Sequence, residues 1–130
     1  MASLKATLSL SSTDVSSDAL SFSVTDTGSV TAPTINLSKI TATTTGANSI
    51  IVPEVNSTKY VYIKHLGLNE AGGSSGADQV IVETADNVEI MRISKDEFAF
   101  FPFYQGGPCK LQLEATANTV QVEYAYFTRA

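Results

Sequence analysis

The sequence predicts an all-β fold, an antiparallel β-sandwich of jelly-roll type in one domain spanning 1–130. Three observations predict it. Apolar residues recur with period two along most of the chain, the period of a strand whose side chains point alternately to opposite faces. Turn-forming residues interrupt these runs about every 8–12 positions, the spacing of sandwiches and barrels. No segment carries a convincing helical period, and the nearest candidate, Glu83 to Arg92, contains a turn signal.

The strands follow in order. Leu4, Ala6, Leu8 and Leu10 alternate with Lys5, Thr7, Ser9 and Ser11, and Leu20, Phe22 and Val24 alternate with Ser21, Ser23 and Thr25. Each run has one apolar face and one hydroxyl face. Thr34 to Thr43 follows, with a bulge expected because Ile35 and Leu37 fall out of step with Ile40. Asn48 to Val52 is a short strand. Thr58 to Leu66 sets Val61 and Ile63 on one face and Tyr60 and Tyr62 on the other, which suits an interior strand covered on both sides. Gln79 to Thr84 and Val88 to Ile93 flank the turn Ala85-Asp86-Asn87. Glu97 to Phe103 is an aromatic strand. Lys110 to Ala115 and Thr119 to Thr128 flank the turn Thr116-Ala117-Asn118. Breaks are expected at Asp26-Thr27-Gly28, Gly46-Ala47-Asn48, Pro53, Gly72 to Gly76 and Gly106-Gly107-Pro108. The count is about eight to ten strands.

Composition agrees with a folded core. Of 130 residues, 43% are hydrophobic and 16% charged, richer in apolar residues and poorer in charge than a disordered chain. Ser and Thr fill 21 of the first 49 positions. A mucin-like stalk has such a composition, but the regular Leu, Phe and Val alternation favours strands. The net charge is −5, and the eight basic residues are dispersed with no two adjacent. Nucleic acid and anionic membrane surfaces both select clustered Lys and Arg, so neither is an expected partner. No run approaches the ~20 apolar residues of a membrane helix. The alternating N-terminal segment differs from the continuous apolar run of a secretory signal, which predicts synthesis in a cytoplasm.

Candidates for chemistry are few. Cys109 is the single cysteine and His65 the single histidine. An intrachain disulfide is therefore excluded. Cys109 is read as a small buried hydrophobe and His65 as a structural residue of its strand, because a triad needs a histidine beside a nucleophile and an orienting acid. One His and one Cys do not make a zinc site without carboxylates. Asp86 with Glu89 and Asp96 with Glu97 fall at turns, where Asp caps the backbone, and Glu54, Glu83, Glu114 and Glu123 are read as solvent-facing. Gly72-Gly73-Ser74-Ser75-Gly76 lacks the Lys-Ser or Lys-Thr of a P-loop and is read as a flexible loop tip. No catalytic residue, cofactor or metal is expected, and the chain is read as a non-enzyme.

The aromatic run Phe98-Ala99-Phe100-Phe101-Pro102-Phe103-Tyr104 carries more information. Phe98 and Phe100 share one face, Phe101 and Phe103 the other. With Phe98 and Phe100 given to the core, the other face is either covered within the chain, making the strand buried on both sides, or it lies at a contact, with Phe101, Phe103 and Tyr104 as the expected interface. Pro102 places the strand at a sheet edge, since proline cannot donate to a ladder. Tyr124 and Tyr126, with Phe127 opposite, make a second aromatic patch.

Several strand motifs together resemble a family. Tyr60-Val61-Tyr62-Ile63-Lys64, Asp96-Glu97-Phe98-Ala99-Phe100-Phe101-Pro102, Leu111-Gln112-Leu113-Glu114-Ala115, Val122-Glu123-Tyr124 and the opening Met1 to Leu10 are similar to small virion structural proteins of marine and cyanobacterial tailed bacteriophages. The chain departs from that pattern in having Asp96 where the pattern has Gly, and in the added loop Gly72 to Gly76. The resemblance implies a non-enzymatic protein located in the virion, a capsid decoration or cement protein docking on the head lattice. It implies the major capsid protein or other virion proteins as partners, and a homo-oligomer, with a trimer expected. Two alternatives stand beside it. One is a tail, neck or fibre component. The other is a carbohydrate-binding β-sandwich, with Tyr104 beside Gly106-Gly107 as the sugar platform, although the chain has no Trp.

Overall fold

The computed structural model describes residues 1–15, 17–45, 49–53, 56–105 and 110–130. Among these described residues there are nine strands and no helix. The strands are β1 (Ala2–Ser12), β2 (Leu20–Ala42), β3 (Ile50–Val52), β4 (Ser57–His65), β5 (Val80–Thr84), β6 (Glu89–Ile93), β7 (Phe98–Gln105), β8 (Leu111–Ala115) and β9 (Val120–Arg129). Their pairings are antiparallel throughout.

One sheet has the order β1-β2-β9-β4-β7 and the other β3-β8-β5-β6. With β1 set aside, β2 to β9 form two four-stranded sheets that interleave early and late strands, the arrangement of a jelly roll. The expected fold class is thus the observed one. The core lies between the sheets. Val61 and Ile63 of β4 and Val120, Val122, Tyr124 and Tyr126 of β9 meet Val80 and Val82 of β5 and Leu111, Leu113 and Ala115 of β8, all buried. Tyr124 and Tyr126 are therefore core residues and not a surface patch, while their neighbour Phe127 is half-buried.

The turn at Asn87 joins β5 and β6 as the expected hairpin. The second expected hairpin does not form, since the turn at Asn118 carries the chain from β8 in one sheet to β9 in the other. Both Asn residues take the left-handed backbone (φ 57° and 51°), a conformation that Asn tolerates better than most residues. β4 is interior, between β9 and β7, and β7, with Pro102, is an edge strand. The expected bulge is present: the β2–β9 register shifts between Thr31 and Thr34 and again between Ile35 and Ser38.

One expected break fails to form. Asp26-Thr27-Gly28 does not break the chain but lies inside β2, facing Ala6, Lys5 and Leu4. Gly28 serves a close approach: a Cβ there would lie 3.0 Å from the Tyr60 hydroxyl, the kind of place a strand glycine marks. The Gly72 to Gly76 segment is internally bonded. Leu68 bridges Ser74, Asn69 N–H donates to the Gly73 carbonyl at 2.8 Å, and Gly73 N–H donates to Asn69 Oδ1 at 2.9 Å.

Because β2 is so long, it serves two partners in succession. Leu20 to Val30 pairs with β1, and Val30 to Ala42 pairs with β9. The first half and β1 form a two-stranded ribbon, mostly exposed, that leaves the body of the sandwich as an arm.

Candidate functional site

Chemistry would reside in the buried polar groups, and the structure commits them to holding strands together. His65 is fully buried. Gly67 N–H donates to its Nδ1 at 2.9 Å, so the ring proton sits on Nε2, which donates to the Asp78 carbonyl at 2.9 Å. Both nitrogens are thus held by backbone, and the ring anchors the end of β4. Cys109 lies outside the described residues, as do Gly106-Gly107 and Glu54.

Lys59 is also fully buried, which sequence reasoning misses. Its Nζ donates to Thr128 Oγ1 at 2.7 Å and lies 5.7 Å from the Tyr126 ring centroid. Thr128 in turn donates to the Pro33 carbonyl. This relay ties β4 to β9 to the bulged part of β2. Burial disfavours the ammonium and lowers the Lys59 pKa from its ordinary 10.5. Glu83, expected at the surface, is buried too, with Gln112 Nε2 donating to it at 2.8 Å and to Asn87 Oδ1 at 3.0 Å. Among the described residues, no three His, Cys, Asp or Glu side chains converge as a metal site would require.

The aromatic strand gives a different picture. Phe101 pairs with Val61 and Phe103 with Lys59, both of which point into the core. Directly opposed residues share a face, so Phe101 and Phe103 turn inward and pack against the core cluster. Of the expected interface residues Phe101, Phe103 and Tyr104, only Tyr104 is on the outside, 75% exposed. Its companions are Phe98 (62%) and Phe100 (43%), the pair expected inside. Both parities of this strand are aromatic, so the strand period leaves the choice of face open, and the β4 register decides it.

The outer face of the five-stranded sheet is consequently aromatic. Tyr60 stacks on Phe100, with centroids 6.2 Å apart and rings 11° from parallel. Tyr62 donates to Glu123 Oε1 at 3.1 Å. This face continues onto the arm. Leu8 pairs with Val24, Leu10 with Phe22 and Ser12 with Leu20, without a register shift from Ala2 to Ser12. Their side chains share the side of Gly28, and Tyr60 lies over that side. Leu8 (46%), Phe22 (43%) and Val24 (57%) are all exposed. The opposite side of the arm is a hydroxyl ladder, with Thr7 bonded to Thr25 at 3.0 Å and Ser9 to Ser23 at 3.1 Å. The alternation of the N-terminal runs announces the two faces but not that the apolar one lacks cover. A shallow cleft of about 430 Å³ lies near the root of the arm, lined by Met1, Leu4, Val30 and Phe127 among others.

Compared with family models, curated proteins and solved structures, the chain matches none.

Proposed function

We propose that this chain is a non-enzymatic structural protein of a tailed-phage particle, decorating or cementing the head lattice. One observation carries the reading. A well-packed jelly roll keeps two apolar patches on one side of its five-stranded sheet, Phe98, Phe100 and Tyr104 on the body and Leu8, Leu10, Leu20, Phe22 and Val24 on the arm, that no described residue covers. Extended apolar surface on a folded domain marks an interaction site, and a chain that displays it on one side of a sheet is suited to assembly. Jelly rolls occur in viral capsid and lectin domains alike, and fold alone does not choose between them. The strand motifs that resemble small virion proteins supply the choice, and with it the major capsid protein and other virion proteins as neighbours and the virion as location.

The test is a protein inventory of purified virions of the source phage, followed by electron cryomicroscopy. The expected outcome is this chain in the particle and density for it at regular positions on the head. Density confined to the tail, neck or fibres would move it to the alternative component class. Absence from the particle would overturn the reading.

A further inference from the structure

We infer that the neighbour on the uncovered face is a second copy of this chain, the arm of one copy lying across the aromatic sheet face of the next. This rests on the assembly reading above and names its first partner.

A two-stranded ribbon such as the arm is marginal in water by itself and needs a further layer. Here Leu8, Leu10, Leu20, Phe22 and Val24 stand in register on one side of it, all exposed. Within its own chain the arm has left the body, and among the described residues no strand besides β2 pairs with β1. The layer that the ribbon lacks must come from another molecule.

The body presents the complementary half. Phe98, Phe100 and Tyr104 are exposed on the same side of the same sheet. Stacked sheets bury their facing side chains at a separation of about 10 Å, so an apolar ribbon laid on this face covers both halves at once. The exposed parts of the five arm residues amount to roughly 400 Å² and those of the three body aromatics to a similar area, so one arm-on-face contact takes about 400 Å² from each partner, and a two-fold dimer that makes it twice reaches about 800 Å² per copy, the share per partner of a standard stable interface. Charge does not oppose the contact. The chain is acidic overall, yet between Leu4 and Ser12 and their partners the apolar side of the arm carries a single charged residue, Asp26. On the body Lys64, Glu123 and Lys39 flank the aromatics with both signs, so the acidic residue of the arm meets basic groups there. Interface centres are depleted in charge in the same way. Because every copy owns one arm and one aromatic face, the contact repeats until it closes, the usual route to a cyclic oligomer.

Sedimentation equilibrium and chemical cross-linking of the full chain decide the matter. The wild-type chain is expected at a multiple of its 13.8 kDa mass at micromolar concentration. Phe22→Asp, on the apolar side of the arm, is expected to bring it to the single-chain mass. Ser23→Asp puts the same charge on the hydroxyl side of the same strand and is expected to leave the oligomer intact. In a Cys109→Ser background, mixing a tagged Leu10→Cys copy with an untagged Tyr104→Cys copy and adding a short bis-maleimide should yield the mixed covalent dimer. A Ser9→Cys control should give far less of it. A monomeric wild type, equal dissociation by Phe22→Asp and Ser23→Asp, or cross-linking no better than the Ser9→Cys control would each overturn the inference. Failure is separable from failure of the virion reading. A monomer found in virions sinks only the arm contact, and an oligomer absent from virions sinks only the virion reading.

Discussion

At the residue scale, the most consequential side chain is the buried Lys59. Its ammonium is bonded to Thr128 Oγ1 and set near the Tyr126 ring, and among the described residues it makes no ion pair. Taking a charge out of water costs several kcal/mol before its contacts repay it, and apolar replacements of similar volume are often neutral or stabilising. Lys59→Met is expected to raise stability by about 1 kcal/mol at neutral pH, measured by urea unfolding. The pH dependence follows from the sign of the shift. Burial lowers the folded pKa, so between that value and the ordinary 10.5 the unfolded chain holds more protons. Stability therefore rises with pH across this window, and the rise should vanish in Lys59→Met. Tyr62 and Tyr126 act oppositely. Burial raises both above their ordinary 10.0, with Glu123 adding to the shift at Tyr62, so stability falls as pH climbs past 10.0. Asp96 offers a second prediction. It adopts φ 67°, in the region where glycine is most at ease. Asp96→Gly is expected to change stability by less than about 0.5 kcal/mol, whereas Asp96→Val should cost about 1–2 kcal/mol from backbone strain alone. Equal melting temperatures for the two variants would refute the strain argument. The left-handed backbone is not legible at this position, since Asp at a turn is common for capping reasons as well.

At the element scale, β2 shows what period two can and cannot reveal. The alternation in Leu20 to Val24 and the misphasing near Ile35 are both legible, and both correspond to observed features. The continuity of the strand through Asp26-Thr27-Gly28 is not, because glycine marks a turn and a close approach with the same letter. The distinction lies in Tyr60, a residue 32 positions later whose ring occupies the missing side chain's place. The inward turn of Phe101 and Phe103 is illegible for a related reason: it depends on which β4 residue each one faces. The Tyr60–Gly28 packing gives a prediction. Gly28→Val should destabilise by about 1–2 kcal/mol through overpacking, and in the Tyr60→Leu background, where the ring is gone, most of that cost should disappear. A double-mutant cycle on the melting curves reads this coupling directly. Additive costs would mean that the ring swings aside freely and that Gly28 is needed only for strand pairing.

At the scale of the whole molecule, the chain order and the spatial order of the strands are opposed. β9, which comes last, lies between β2 and β4 in the five-stranded sheet. It receives β2 along Val30 to Ala42 and β4 along Lys59 to His65. It also supplies Val120, Val122, Tyr124 and Tyr126 to the core. Without β9, β2 loses the strand that joins it and the arm to the body, and β4 loses one of its two neighbours. Each of these pairings closes a long loop, and the entropy of closing it is repaid only when the side chains on both sheets meet. The four buried side chains of β9 contribute on the order of 1.5–3 kcal/mol apiece, which together rivals the roughly 5–15 kcal/mol stability of an ordinary domain. A chain ending at Asn118 is therefore expected to lose its fold entirely rather than to keep a smaller one. Calorimetry should show no cooperative transition and the amide proton spectrum should collapse to the narrow dispersion of an unfolded chain. If instead the shortened chain melts cooperatively, the four-stranded sheet β3-β8-β5-β6 with β4 and β7 would be an independent unit. The arm and β2 would then be an addition that β9 merely fastens.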